Sequence, residues 1–218
     1  MAITYKPEGL AVLTLEEIPK LFHNPKTKVI QDQLIGKKFM CKFPSGQLFF
    51  DSKLDLDTDG SFYHSQDGTG QGVTATRWAD NSSLDADLIN YFVMPGNFYQ
   101  RFGISKGDIG VVIFGIRKVY ACFGDVGKSD RIGEGSIALH RELGHETIVG
   151  RETASGGRLI NAGITSGVIT IVFPGSGNGF GRSNAESAAI GEPLFQKLQK
   201  EANAIGDFPV PIGRSKFA

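Results

Sequence analysis

No stretch of this 218-residue sequence approaches the ~18 consecutive apolar residues that a membrane-spanning helix needs, which excludes a helical membrane protein. Cysteine is equally scarce. Two thiols, Cys41 and Cys122, cannot build the multi-bridge framework of a small secreted scaffold, and a chain of this length does not need one. Each lies in an apolar run, so a disulfide between partnered strands and a pair of buried thiols both fit; buried thiols are the commoner outcome. Excess charge of one sign is also missing, with 23 Lys and Arg balanced by 23 Asp and Glu. A general nucleic-acid or anionic-membrane binder carries basic excess, so neither partner is expected. The N-terminus lacks a basic segment followed by an apolar one, so no export signal is visible. The chain reads either as cytoplasmic or as secreted with its leader removed.

What the sequence does have is glycine, 29 residues, and phenylalanine, 16, with few long helical patterns. That balance predicts short strands joined by tight turns, a mainly β fold with a few short helices. Lys37 to Leu56 alternates like a strand, and residues 88–94 form an apolar run stopped by Pro95. Asp108 to Phe123 reads as a hairpin, and residues 167–173 as a strand rich in β-branched side chains. Ser136 to Leu143 reads as a short helix, capped by Ser136 and ended by Gly144. A short amphipathic lead-in covers residues 14–22 and is interrupted by Pro19. Gly191 and Pro193 set the expected start of a C-terminal helix near 193, running to about 204. With no internal repeat and no linker-like tract, residues 1–218 are expected to form one domain with its core at roughly 37–178.

Charge is unevenly distributed within the neutral total. Between Asp51 and Asp87 lie eight acidic residues opposed only by Lys53 and Arg77. Aspartates in turns and caps account for such a run without any ligand; a surface that attracts a cation accounts for it equally well. The segment Tyr120–Leu139 carries more chemistry. An apolar strand ends at Gly124, Asp125 follows it, and a glycine-punctuated loop leads to Glu134 just before a helix start. Carboxyls placed at strand and helix ends project from rigid elements, and the intervening glycines allow a substrate to approach the backbone. Cleaving a glycosidic bond requires two carboxyls in unlike environments, one protonated and one ionised. Spacing alone does not separate such a pair from two structural loop acids.

The string Phe-Gly-Asp-Val-Gly, a short gap, then Ile-Gly-Glu-Gly-Ser-Ile-Ala-Leu (residues 123–127 and 132–139) resembles the signature of family-75 glycoside hydrolases, the fungal-type chitosanases. Asp55-Leu-Asp-Thr-Asp-Gly60, Tyr91-Phe-Val-Met-Pro95, Gly107-Asp108 with Val111-Val112, and Val172-Phe-Pro-Gly-Ser176 agree with that family in order. The resemblance spans roughly residues 37–178. It implies an inverting endo-hydrolase of β-1,4-linked glucosamine polymers that needs no cofactor and no metal, with Asp125 and Glu134 as its catalytic carboxylates. It further implies that Asp55, Asp57 and Asp59 meet glucosamine ammonium groups, and Thr76 is expected in the same substrate-binding set. Trp78, the only Trp, joins it as a ring that can stack on sugar, as can nearby Tyr63 and Tyr91, although packing in the core accounts for such aromatics as well, for Tyr91 in its apolar run above all. The strand, Gly-Asp turn and short helix resemble, at the level of fold alone, the crossing of a double-psi β-barrel, so a double-psi β-barrel-like core is expected. The chain departs from the family at Lys128, where a proline is usual, which puts the exact polymer in question. A non-catalytic carbohydrate-binding or structural β-barrel on the same scaffold, and a hydrolase of another polysaccharide such as peptidoglycan, are the alternatives.

Other patterns fail on their spacing. Asp55-x-Asp57-x-Asp59-Gly60 copies half of a calcium loop, but its twelfth position is Gln66. Gly124 to Ser129 lacks the first glycine of a phosphate-binding loop. His140 and His145 are five apart with Gly144 between them, which favours surface histidines over a metal pair.

Overall fold

The computed structural model describes residues 18–31, 39–146 and 163–205. The N-terminal segment read for an export signal and the start of the alternation at Lys37 lie outside the described residues. Among the described residues there are eight strands: β1 Lys28–Val29, β2 Phe39–Lys42, β3 Leu48–Asp57, β4 Tyr91–Pro95, β5 Ile109–Phe114, β6 Arg117–Gly127, β7 Glu134–Ser136 and β8 Gly163–Phe173. They run in the order β1-β2-β3-β7-β4-β6-β5-β8, and a further β3–β8 pairing closes six of them, β3 through β8, into a barrel. Two of its pairings are parallel, β3 with β7 and β4 with β6. The expected mainly β, barrel-like core is what the chain forms.

Alternation sorts the side chains of each strand. Leu48, Phe50, Phe92, Val112, Ala121, Phe123, Val168 and Val172 fill the barrel interior. Their neighbours Phe49, Val111, Ile113, Tyr120, Ile169 and Ile171 face outward and are covered by helices. Those helices are α1 Pro19–Phe22 and the C-terminal helix; between them in sequence lie α2 Phe62–Asp67 and α3 Ile137–Glu142. The C-terminal helix, α4, runs Asn184–Asn203 and therefore starts well before Pro193. Ser183 and Glu186 form a capping box at its first turn, and a reciprocal cap of this kind fixes a helix start whatever lies downstream. Gly191 is a packing requirement: a Cβ there would sit 2.4 Å from Tyr120 Cδ1 on β6.

Both cysteines are free and buried, and burial raises both thiols, Cys122 to about 11. His140 corrects the surface reading of the histidines. It is fully buried, with Nδ1 2.9 Å from the Ser136 carbonyl and Nε2 3.0 Å from the Leu54 carbonyl, and it ties α3 to β3.

Candidate active site

Strand register brings the acids together. Residues directly opposite on neighbouring strands share a face. Asp55 pairs with Glu134, Glu134 with Val93, and Val93 with Asp125, so three acids and one valine form a row across β3, β7, β4 and β6. Val93 packs with Tyr91, Cys122 and Ile109, on the outside of the barrel.

Asp125 reaches that face through a bulge. Phe92 pairs with Phe123, but the next residue, Val93, pairs with Asp125, which leaves Gly124 as the extra residue. Phe123 points into the barrel, and simple alternation would point Asp125 inward too. One inserted residue turns it outward, a common device beside active sites. Gly124 is required there, because a Cβ would lie 2.4 Å from the Tyr91 Cβ. Residues 75 and 76 hold the bulge from behind. The Thr76 N–H donates to the Gly124 carbonyl at 2.9 Å and its hydroxyl to the Phe123 carbonyl at 2.8 Å. Ala75 N–H and Val126 N–H both donate to Asp125 Oδ1, at 2.6 and 2.8 Å.

Glu134 opens β7 after Gly133, whose φ of 85° only glycine adopts readily. Its carboxyl leans across β4 toward β6, since a Cβ on Gly127 would stand 2.7 Å from Oε2. Asp57 and Asp59, at the end of β3 and in the turn beyond, complete the group. Carboxylate oxygens of Asp57, Asp59 and Asp125 lie within 4.8 Å of one another, close enough to hold a metal ion. Asp57 and Asp55 lie in a paired strand, not in the loop of a calcium hand.

Like charges this close hold on to protons. Burial raises Asp57 to about 8, and the charges of Asp125, Asp59 and Glu134 push the same way. Asp125 is raised to about 6, chiefly by burial, against the two backbone N–H groups; Asp59 adds charge and a carboxyl–carboxyl hydrogen bond. Burial also raises Asp59 and Glu134. For Glu134 the Asp55 charge adds to burial, while Arg131, Lys53 and Lys128 oppose it. Lys128, the residue that departs from the family pattern, thus acts on Glu134. Tyr91 is buried behind the cluster and donates to the Asp59 carbonyl at 2.9 Å.

The other expected site residues are placed differently. Asp55 is ion-paired to Lys53 beside Glu134. Thr76 is fully buried behind the bulge, with its hydroxyl turned to the backbone. Trp78 is half-buried and packs beside the cluster that contains Val93. Reasoning from sequence missed the bulge and its clamp; the one signal for them was a glycine inside an otherwise apolar strand.

The family model for the fungal chitosanases of glycosyl hydrolase group 75 matches residues 54–210. The chain belongs to this family. It is a chitosanase-type glycoside hydrolase, and its substrate is a polysaccharide. The matched segment contains the barrel from the end of β3 onward and every acid of the cluster. No match is found among curated proteins.

Proposed function

We propose that this glycoside hydrolase cleaves β-1,4-linked glucosamine chains internally and with inversion, Glu134 acting as general acid and Asp125 as general base. The observation that carries this reading is the register that sets Asp125 and Glu134 on one face, on either side of Val93. Glu134 leans over Gly127, two residues along β6 from Asp125, a span of roughly 6.6 Å at the usual strand rise. An inverting enzyme needs its carboxyls about 6.5–9.5 Å apart, so that a water fits between sugar and base, whereas a retaining enzyme needs about 5–5.5 Å.

The assignment of roles follows the hydrogen bonds. Asp125 Oδ1 accepts two backbone N–H groups, which favour its charged form against the burial that raises it to about 6, so that it is ionised above that pH, as a base requires. Among the described residues no N–H group donates to Glu134, and burial beside Asp55 favours its protonated form, as an acid requires. Asp125 takes a proton from the attacking water while Glu134 gives one to the leaving oxygen. Asp55 stands opposite Glu134 and Asp59 beside Asp125, and their carboxylates suit a substrate that carries an ammonium on each sugar.

Glu134→Gln and Asp125→Asn should each abolish release of reducing ends from chitosan, with melting temperatures near that of the parent. Proton NMR of the first product should show the α anomer. Near-normal turnover in either variant removes the assignment, and a β anomer removes inversion.

A further inference from the structure

A second hollow lies beside the acids. A cavity of about 490 Å³ opens between α2 and α3, lined by Tyr63, His64, Asp67, Asp87, Arg141 and Glu146. None of the four acids Asp57, Asp59, Asp125 and Glu134 lines it. Both walls nevertheless grow from the segments that carry those acids. α2 begins at Phe62, three residues after Asp59, and α3 begins at Ile137, three residues after Glu134. Three Cα steps reach at most about 11 Å, so the cavity stands within a few sugar units of the cluster.

We propose that this cavity is a second subsite for glucosamine, gripping the same polymer beyond the bond being cut; the proposal rests on the substrate reading above. Three features carry it. The first is an exposed aromatic ring braced by its neighbour. Phe62 and Tyr63 are adjacent, 68% and 75% exposed, with ring centroids 5.8 Å apart at an interplanar angle of 78°. Tyr63 lines the cavity and Phe62 stands edge-on against it from outside, so the Tyr63 ring is held at the wall with a face open to the apolar side of a pyranose. The second is charge. Asp67, Asp87 and Glu146 stand in the lining against Arg141 and His64, whose Nδ1 is 3.8 Å from Asp67 Oδ2, so carboxylates outnumber basic groups there, which complements an amino sugar and not an acidic one. The third is that the carboxylates are fixed in place. Asp87 accepts from the hydroxyl of Ser61, the N-cap of α2, at 2.5 Å. Asp67 Oδ1 accepts from the Thr69 N–H at 2.9 Å and from the Thr69 hydroxyl. Arg141 donates to the Asp87 carbonyl at 3.3 Å, which orients its guanidinium along the wall. A sugar ring stacked on Tyr63 would present its ammonium to Asp67 and Asp87.

The test uses the Glu134→Gln protein, which binds without cutting, and calorimetry with a glucosamine hexamer. Tyr63→Ala and the Phe62→Ala/Tyr63→Ala pair should weaken hexamer binding by roughly three- to tenfold, the usual worth of an aromatic stack. Both side chains project into solvent, so neither change should move the melting temperature. Asp67→Asn should weaken the glucosamine hexamer and leave the neutral N-acetylglucosamine hexamer unchanged. Unaltered hexamer affinity in the aromatic variants overturns the subsite and leaves the catalytic reading standing. An equal Asp67→Asn loss on the neutral hexamer overturns recognition of the ammonium. If the Glu134→Gln parent binds no glucosamine hexamer at all, the substrate reading itself fails and the subsite falls with it.

Discussion

The clamp behind Asp125 can be probed with one substitution, Thr76→Val. Valine keeps the shape of threonine and removes only the hydroxyl that donates to the Phe123 carbonyl at 2.8 Å. That carbonyl retains a second donor, the Gly107 N–H at 3.0 Å, so no buried acceptor is orphaned. The loss is then that of one ordinary hydrogen bond, about 1 kcal/mol. In a chain of this size that lowers the melting temperature by about 2–4 °C. The effect on turnover should be larger than the effect on stability. The bulge exists to turn Asp125 outward, and a misplacement of a catalytic group by about 1 Å costs up to ~100-fold. We expect kcat for chitosan to fall about 5- to 100-fold at 25 °C with KM nearly unchanged, read as reducing ends released. An unchanged kcat with the expected drop in melting temperature would show that the hydroxyl serves stability alone. A raised KM with kcat intact would show instead that Thr76 belongs to the substrate-binding set in which it was expected.

Three further expectations concern the acids. Activity requires ionised Asp125, which is raised to about 6, so kcat/KM should climb with pH through about 6; Asp59→Asn removes a charge and a hydrogen bond that hold it up and should move that limb to lower pH, and a limb that stays put refutes the coupling. Asp57 has its folded pKa raised from 3.8 to about 8, so the stability that its proton contributes is full below 3.8 and lost as pH rises through about 8. Melting temperature should therefore fall between about pH 6 and pH 9, where Asp125 has already titrated, and Asp57→Asn should flatten that fall; equal slopes in the two proteins count against a neutral Asp57. Gly127→Ala places a methyl 2.7 Å from Glu134 Oε2 and 2.9 Å from Val93 Cγ1, so hydrolysis should drop at least about tenfold while circular dichroism stays that of the parent. Full activity would mean that Glu134 works from another rotamer.

How much of this was legible beforehand depends on whether the information is local. Strands announce themselves through apolar alternation, and the Asp108–Phe123 hairpin lies where the pattern puts it. Asp125 and Glu134 stood out because glycine-flanked acids at element ends, within a string resembling a known family, are informative together. The orientation of Asp125 was not legible. Alternation puts it on the same face as Phe123, and only the extra residue at Gly124 reverses that, which the partner strand reveals and the sequence does not. Thr76 was hidden for the same reason, since its partners lie 47 and 48 residues away in sequence at Phe123 and Gly124. The start of α4 could have been read, because Ser183 and Glu186 stand at capping-box spacing, but Gly191 and Pro193 pointed the other way. Nor does any periodicity forecast that His140 would be walled in between two carbonyls from different elements.

Val93 has a consequence for how the enzyme ages and adapts. Asp125 and Glu134 stand opposite Val93 on the two edges of the same short strand. The spacing of their backbones is therefore set by strand pairing on either side of Val93 and not by how well the interior is filled. Substitutions that loosen the interior should thin the population of intact molecules long before they alter the ruler that each surviving molecule carries. Sequences can drift across most of the barrel and leave that ruler unchanged, provided the central strand keeps both of its neighbours.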